Sequence, residues 1–214
     1  MRLVGNRAKS TTNSIIELVV IIAIALGLAL AIQAVIVKPY RIPSGSMEPT
    51  LSVGQRVLVN RIGMDIKGPH VGEIVVFHPP VGAESSQCGS PKHPMTAACD
   101  TPNPKEDTGT NFIKRIVAGP GDELYIREGH VFRKPKGKTS FERESDSYIK
   151  PCAAEVGPVC NLTTPVKVPP GHWFMMGDNR GESDDSRFWG PVPTGWIIGG
   201  AFLTYWPPKK IGFL

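Results

Sequence analysis

Outside its first forty positions the sequence shows no helical hydrophobic period of useful length, which argues against a helical bundle for its main body. Its 23 glycines and 21 prolines, about a fifth of 214 residues against an average of about 12%, point the same way. It has no internal repeat, no low-complexity run and no basic block. The formal charge of +5 is spread: Arg2, Arg7 and Lys9 against Glu17 precede residue 38, and residues 38–214 carry 21 basic and 18 acidic side chains. No nucleic-acid partner is expected from such a distribution. No C-x-x-C and no Cys/His quartet is present, so no zinc site is expected. The G-x-S-x-G elbow of α/β-hydrolases is missing too. With 41% hydrophobic residues the chain can nonetheless build a core.

Leu18 to Ile32 is a run of fifteen apolar residues that continues, past Gln33 alone, to Val37. No polar stripe interrupts it, and about 20 helical residues span about 30 Å, the thickness of bilayer hydrocarbon. A cleaved leader is the alternative, since Ala29-Leu30-Ala31 has the small-x-small pattern of a cleavage site. That tripeptide lies inside the apolar run, where an extended bond could not be presented to a protease. The expectation is a tail at 1–14, a single transmembrane signal anchor at 15–37 and a second domain at 38–214.

Orientation is nearly balanced by charge, with Arg2, Arg7 and Lys9 before the span and Lys38, Arg41 and Arg56 after it. Cysteine usage breaks the tie. Cys88, Cys99, Cys152 and Cys160 all follow the span, in two close pairs within Pro- and Gly-rich stretches, and disulfides persist in oxidising compartments. The 38–214 domain is therefore expected to be extracytoplasmic and the tail cytoplasmic, at the plasma or inner membrane. The short separations favour Cys88–Cys99 and Cys152–Cys160, with reduced, buried thiols as the alternative.

Short alternating runs bounded by turn residues read as strands: Arg56–Asn60, Glu73–Phe77, Phe112–Val117, Glu123–Ile126, His130–Phe132, His172–Met176 and Trp196–Phe202. The fold class is mostly β, a folded antiparallel or barrel-like sheet preceded by one transmembrane helix. Two long connections, 79–110 and 134–171, each contain one cysteine pair.

Ser44-Gly45-Ser46-Met47, flanked by Pro43 and Pro49, reads as a rigid turn presenting hydroxyls, or else as a plain linker. Ser46 is nine residues beyond Val37, within roughly 30 Å of the span's end at about 3.4 Å per residue. None of the histidines sits in a readable His/Asp arrangement. Lys114, inside the apolar strand candidate 112–117, is the better base for a serine. Alternation sends it and Arg115 to opposite faces, and burial among groups such as Phe112, Ile113 and Met47 would disfavour its charged form. An exposed lysine on an edge strand is the plainer reading. A third cluster, Met176 to Gly190, alone reads as a solvated charged turn.

Together these segments resemble the type I (leader) signal peptidases: Ser44-Gly45-Ser46-Met47-x-Pro49-Thr50-Leu51, Lys114-Arg115 with Gly119-Pro120-Gly121-Asp122, and Gly177-Asp178-Asn179-Arg180 leading to Ser183-x-Asp185-Ser186-Arg187. Gly72 to Phe77 is similar to a further strand of that family. The order, after a single anchor, is that of the compact bacterial form. The resemblance implies a membrane-bound serine endopeptidase that cuts signal peptides from exported preproteins after an Ala-x-Ala-like site. It needs no cofactor, and its partners are preproteins, the lipid bilayer and, as a further candidate, the export machinery. It also implies Ser46 as nucleophile, Lys114 as general base, and Ser44 with the Ser46 N–H as oxyanion donors. Ser183 would orient the lysine amine, Asp185 and Arg187 would form a supporting ion pair, and Asp178 would pair with Arg115. Ile42, Met47, Leu51, Val76, Phe112 and Ile113 are the candidates to line substrate pockets. Two departures from the family pattern are Gly181-Glu182, where polar pairs such as Asp-Asn are common, and Gly199-Gly200-Ala201, where a basic residue often precedes the alanine. The rival readings are a membrane-anchored, non-catalytic β binding domain and a self-cleaving repressor-type protease; in the latter a DNA-binding module would stand in place of the anchor.

Overall fold

The computed structural model describes residues 11–63, 68–90, 94–153 and 157–214; the expected tail lies mostly outside them. The chain divides into two compact units, Met1–Lys38 and Pro39–Leu214. In the first, helix α1 (Thr11–Val35) is about 37 Å long at 1.5 Å per residue. Apolar side chains are exposed all round it, from Ile15 to Ile32, and Ser14–Ile32 is long and apolar enough to cross a membrane. The helix stops two residues short of the expected end at Val37. Pro39 supplies no N–H and disfavours helical geometry at Lys38, and the chain continues as strand β1 (Val37–Arg41).

The second unit is built on two antiparallel sheets. The larger contains β1, β2 (Arg56–Asn60), β3 (Ile74–Phe77), β4 (Phe112–Ala118), β9 (His172–Met176), β10 (Val192–Pro193), β11 (Ile197–Trp206) and β12 (Gly212–Phe213). Its order is β1-β2-β11-β3-β4-β9-β10, with β12 also on β11. The smaller is ordered β7-β6-β5-β8, from β5 (Glu123–Arg127), β6 (His130–Lys134), β7 (Glu142–Arg143) and β8 (Val166–Lys167). Register shifts between Ile197 and Gly199, Ala201 and Leu203, and Thr204 and Trp206 bend β11, so the large sheet curls. Gly199 lies so close to the Asn60 carbonyl that a Cβ would stand 2.4 Å from its oxygen. Close backbone approach therefore explains glycine at Gly199, one residue before the position of the second departure.

Three buried clusters fill the layers. One, with Leu124, Ile126, Val131 and Phe174, backs the small sheet. Another gathers Ile42, Met47, Leu51, Val57 and Val59, and the third gathers Val75, Phe77, Ile116, Met175 and Trp189. Strand β3 is buried on both faces: Ile74 and Val76 belong to the second cluster, Val75 and Phe77 to the third. Phe77, Phe112 and Trp189 bring their ring centres within 5.9–6.4 Å of one another, a spacing that favours tilted aromatic contact. Trp189 belongs to a one-turn helix, α2 (Ser186–Trp189), too short to leave a period in the sequence.

Among its described residues the connection 79–110 contains one 3-10 turn, Ala83–Ser85, whereas 134–171 supplies β7 and β8 and is partly sheet. Disulfides join Cys88 to Cys99 and Cys152 to Cys160. The two connections also meet: Ala97 bridges Thr164, and the Thr164 N–H donates to the Thr96 carbonyl at 2.9 Å.

Candidate active site

Ser46 is presented by a single 3-10 turn, Gly45–Met47. So short a turn cannot hold its own geometry, and Asn179 pins it from across the chain. The Asn179 backbone N–H donates to the Ser46 carbonyl at 3.0 Å, and its Nδ2 donates to the Gly45 carbonyl at 3.2 Å. Gly177 lies against the same turn. A Cβ at Gly177 would stand 2.4 Å from the Ser46 carbonyl oxygen and 2.2 Å from Ser183 Oγ, so any larger residue would push these segments apart.

Lys114 arrives from the middle of β4, opposite Val75 of β3. Its Nζ donates to Ser46 Oγ at 2.7 Å. Both side chains are almost out of water, with Ser46 8% and Lys114 5% exposed, and the Phe112 ring centre is 5.6 Å from Nζ. Burial drives the lysine from its ordinary 10.5 down to about 8. The charges of Asp185 and Asp184 pull it up, Arg187 pushes it down, and Asp178 pulls it up. Desolvation dominates because the nearest partner is a neutral hydroxyl, which cannot compensate an ammonium as a carboxylate would.

Arg115, next along β4, serves a different purpose. Its Nε and Nη2 donate to Asp178 Oδ1 and Oδ2 at 2.9 and 2.7 Å, its Nη1 donates to the Gly72 carbonyl at 2.7 Å, and its guanidinium lies over the Tyr148 ring at 3.9 Å. Asp178 also accepts from Thr50 Oγ1 at 2.6 Å. This fork-to-carboxylate pair ties the Ser46 segment, β4 and the 177–180 segment together.

Asp185 and Arg187 form a fully buried pair. Arg187 Nε and Nη2 donate to the two carboxylate oxygens at 2.8 and 2.9 Å, and the Gly177 N–H donates to Oδ2 at 3.0 Å. Burial would raise the Asp185 carboxyl. The charge and hydrogen bonds of Arg187, the Gly177 N–H and the charge of Lys114 outweigh it and hold the group below its ordinary 3.8.

Ser183 departs from expectation. Its Oγ is buried with no hydrogen-bond partner among the described residues, so it does not engage the lysine amine. Nζ is directed to Ser46, and the Ser183 side chain is wedged against Gly177. Its carbonyl instead accepts from Arg187 Nη2 at 3.1 Å. Ser44 is exposed and donates its hydroxyl to Ser46 Oγ at 3.4 Å.

A cleft of about 450 Å³ opens over Ser46 and Lys114, with Pro43, Ser44, Phe112 and Ile113 in its walls. A second cavity of about 200 Å³ adjoins it through Pro43, Asn111, Phe112 and Ile113 and adds Tyr40, Ile42 and Val76. Of the six apolar residues expected to line pockets, Met47 and Leu51 line neither cavity. Both are wholly buried in the second core cluster, because the turn that exposes the Ser46 hydroxyl to the cleft drives Met47 inward. Among the described residues no cluster of His, Cys, Asp and Glu could hold a metal ion.

Sequence reasoning gave no role to Asn179, Gly177, Thr50 or Tyr148. The first two stand in the 176–190 cluster, which was the available signal, and the contacts that define them reach across more than 120 residues.

A family model described as "Signal peptidase, peptidase S26" matches residues 15–206. The chain is 36% identical over 203 residues to a "Probable signal peptidase I-2" of Synechocystis sp., covering 94% of this chain and 78% of that one. It is 33% identical over 193 residues to a "Signal peptidase I" of Leptolyngbya laminosa, covering 90% and 80%. With the "Signal peptidase I" of Pseudomonas fluorescens the identity is 32% over 216 residues, covering 87% and 72%. A match across nearly the whole chain, alongside relatives above 30% identity that it covers for most of their length, establishes that the chain belongs to the signal peptidase family, peptidase S26.

Proposed function

We propose that the chain is a membrane-anchored serine endopeptidase that removes N-terminal signal peptides from exported preproteins, with Ser46 as nucleophile and Lys114 as general base. The observation that carries the reading is the 2.7 Å contact between Nζ and Oγ, made by a lysine that burial brings down to about 8. A base works best with a pKa near the operating pH, and an ordinary lysine is too rarely neutral.

Neutral Lys114 takes the Ser46 proton as Oγ attacks the scissile carbonyl. The Ser44 hydroxyl and the Ser46 N–H stabilise the oxyanion. The Lys114 ammonium then protonates the leaving amine, leaving an acyl ester on Ser46. Lys114 next activates a water, which releases the signal peptide and restores the serine. Asp178 with Arg115, and Asp185 with Arg187, hold the segments that carry these groups. Ile42, Val76, Phe112 and Ile113 offer shallow apolar walls to the small residues before the cut. Helix α1 anchors the enzyme, with the tail in the cytoplasm and the catalytic unit outside, where the two disulfides persist.

The test incubates the detergent-solubilised full chain with a preprotein bearing Ala-x-Ala before its junction and locates the cut by mass spectrometry. Cleavage after the second alanine is expected, and a Phe replacing the alanine three positions before the cut should lower kcat/KM about 100-fold by overfilling the shallow pocket. An intact preprotein, or cleavage indifferent to that Phe, would reject the reading.

A further inference from the structure

The two cavities differ in charge. Among the described residues, the one holding Ile42 and Val76 is lined by no carboxylate and by one cation, Arg41. The cleft over Ser46 is lined by three carboxylates, Glu84, Glu182 and Asp184, and its one cation among the described residues is Lys114, which must be neutral to act as a base. These carboxylates come from two distant segments tied at the wall itself: Ser86 Oγ donates to Asp184 Oδ2 at 3.0 Å. The other oxygen, Asp184 Oδ1, is buried with no hydrogen-bond partner among the described residues. Glu182 is held by Asn179 Nδ2 at 3.1 Å, the same amide that pins the Ser46 turn, and its other oxygen pairs with Lys150 Nζ at 3.4 Å, which leaves Glu84 and Asp184 as the wall's uncompensated charge; Glu182 stands where the sequence departs from the family pattern. Glu84 is exposed and makes no ion pair among the described residues. The wall is thus positioned by the catalytic scaffold.

We propose that this wall selects for lysine or arginine within the first two residues after the scissile bond. The inference rests on the peptidase reading. A substrate whose small residues occupy the apolar cavity reaches Ser46 with its scissile carbonyl, and its continuation enters the part of the cleft that cavity does not share, where the three carboxylates stand. A cationic side chain there finds opposite charge, and an acidic one meets like charge.

The test measures kcat/KM of the full chain in detergent on three preproteins that share Ala-x-Ala before the junction and differ only in Lys, Gln or Glu at the second residue after it. At low ionic strength the Lys-to-Glu ratio is expected to be about tenfold, shrinking in 1 M salt, where the screening length falls to about 3 Å. Glu84→Gln should reduce the ratio and Glu84→Gln with Asp184→Asn should bring it near one. Because Glu84 is exposed and its side chain makes no hydrogen bond among the described residues, the single variant remains informative if the double variant does not fold. A wild-type ratio near one, or a ratio untouched by Glu84→Gln, overturns the selectivity while leaving the peptidase reading intact. No cleavage of any of the three overturns the peptidase reading itself, and this inference with it.

Discussion

Lys114→Met should lower kcat by about 10⁴-fold, and Ser46→Ala by as much, with the double variant little worse than either because the two groups act as one unit. Methionine keeps the length and the apolar contacts of the lysine stem, among Phe112 and its aromatic neighbours, and removes only the amine. Without it the Ser46 hydroxyl has no base within reach among the described residues, where its only hydrogen-bond partners are Lys114 Nζ and Ser44 Oγ. Lys114→Arg should be equally inactive, because a guanidinium does not release its proton near neutral pH. The stability of the Met variant separates chemistry from folding. A lysine at about 8 in the folded chain and at its ordinary value in the unfolded one burdens the native state by about 3 kcal/mol when charged. The native state binds fewer protons than the unfolded state between about pH 8 and 10.5, so stability rises with pH across that window and the burden is full below it. Lys114→Met removes the burden, and its melting temperature at pH 7 should equal or exceed that of the wild type. An inactive variant that is also strongly destabilised would point to a structural lysine.

Asp185→Ala should cost about 3–5 kcal/mol of folding stability, the range for one partner of a fully buried ion pair. It strands the Arg187 guanidinium, of which none is exposed, and deprives the Gly177 N–H of its acceptor. At about 2–4 °C per kcal/mol for a domain of this size, the transition should fall by roughly 10 °C. Replacing Arg187 by methionine as well should restore a large part, because no unpaired charge then remains buried. The acid limb follows from the same pair. The Asp185 carboxyl sits below 3.8 in the folded chain, so its contribution is complete above the unfolded value and is lost as pH falls through the folded one. Thermal unfolding followed by circular dichroism in detergent measures both effects. A loss under about 1 kcal/mol would mean that the pair does not hold this segment in place.

The strands were legible because alternation survives in short runs bounded by turn residues: Arg56–Asn60 and His172–Met176 stand where the pattern places them. Strand β11 runs four residues beyond Phe202 to Trp206, because its bulges break the period that would have marked the extension. Apolar type alone could not separate pocket from core. Ile42 and Leu51 look alike in sequence, yet Ile42 borders a cavity and Leu51 is sealed beneath the turn. Aromatic type behaves likewise: Trp189 is fully buried while Trp206 is 49% exposed. The motif around Ser183 gave its position and not its rotamer, so the wedge against Gly177 was invisible. Asn179 could not be assigned a role because its value lies in two hydrogen bonds to carbonyls more than 130 positions earlier in the chain. What sequence conveys well is which residue types lie on which strand; which of them meet depends on how the large sheet curls.

The central claim is that a desolvated, neutral Lys114 takes the proton from Ser46, and the pH dependence of kcat/KM on one preprotein tests it most directly, since that parameter reports the free enzyme's own base. The rate should climb about tenfold per pH unit on the acid side, reach half its maximum near the lysine's value of about 8, and level off above it. A profile flat from about pH 5 to 9, or a midpoint near 10.5 where an exposed lysine would titrate, would contradict it.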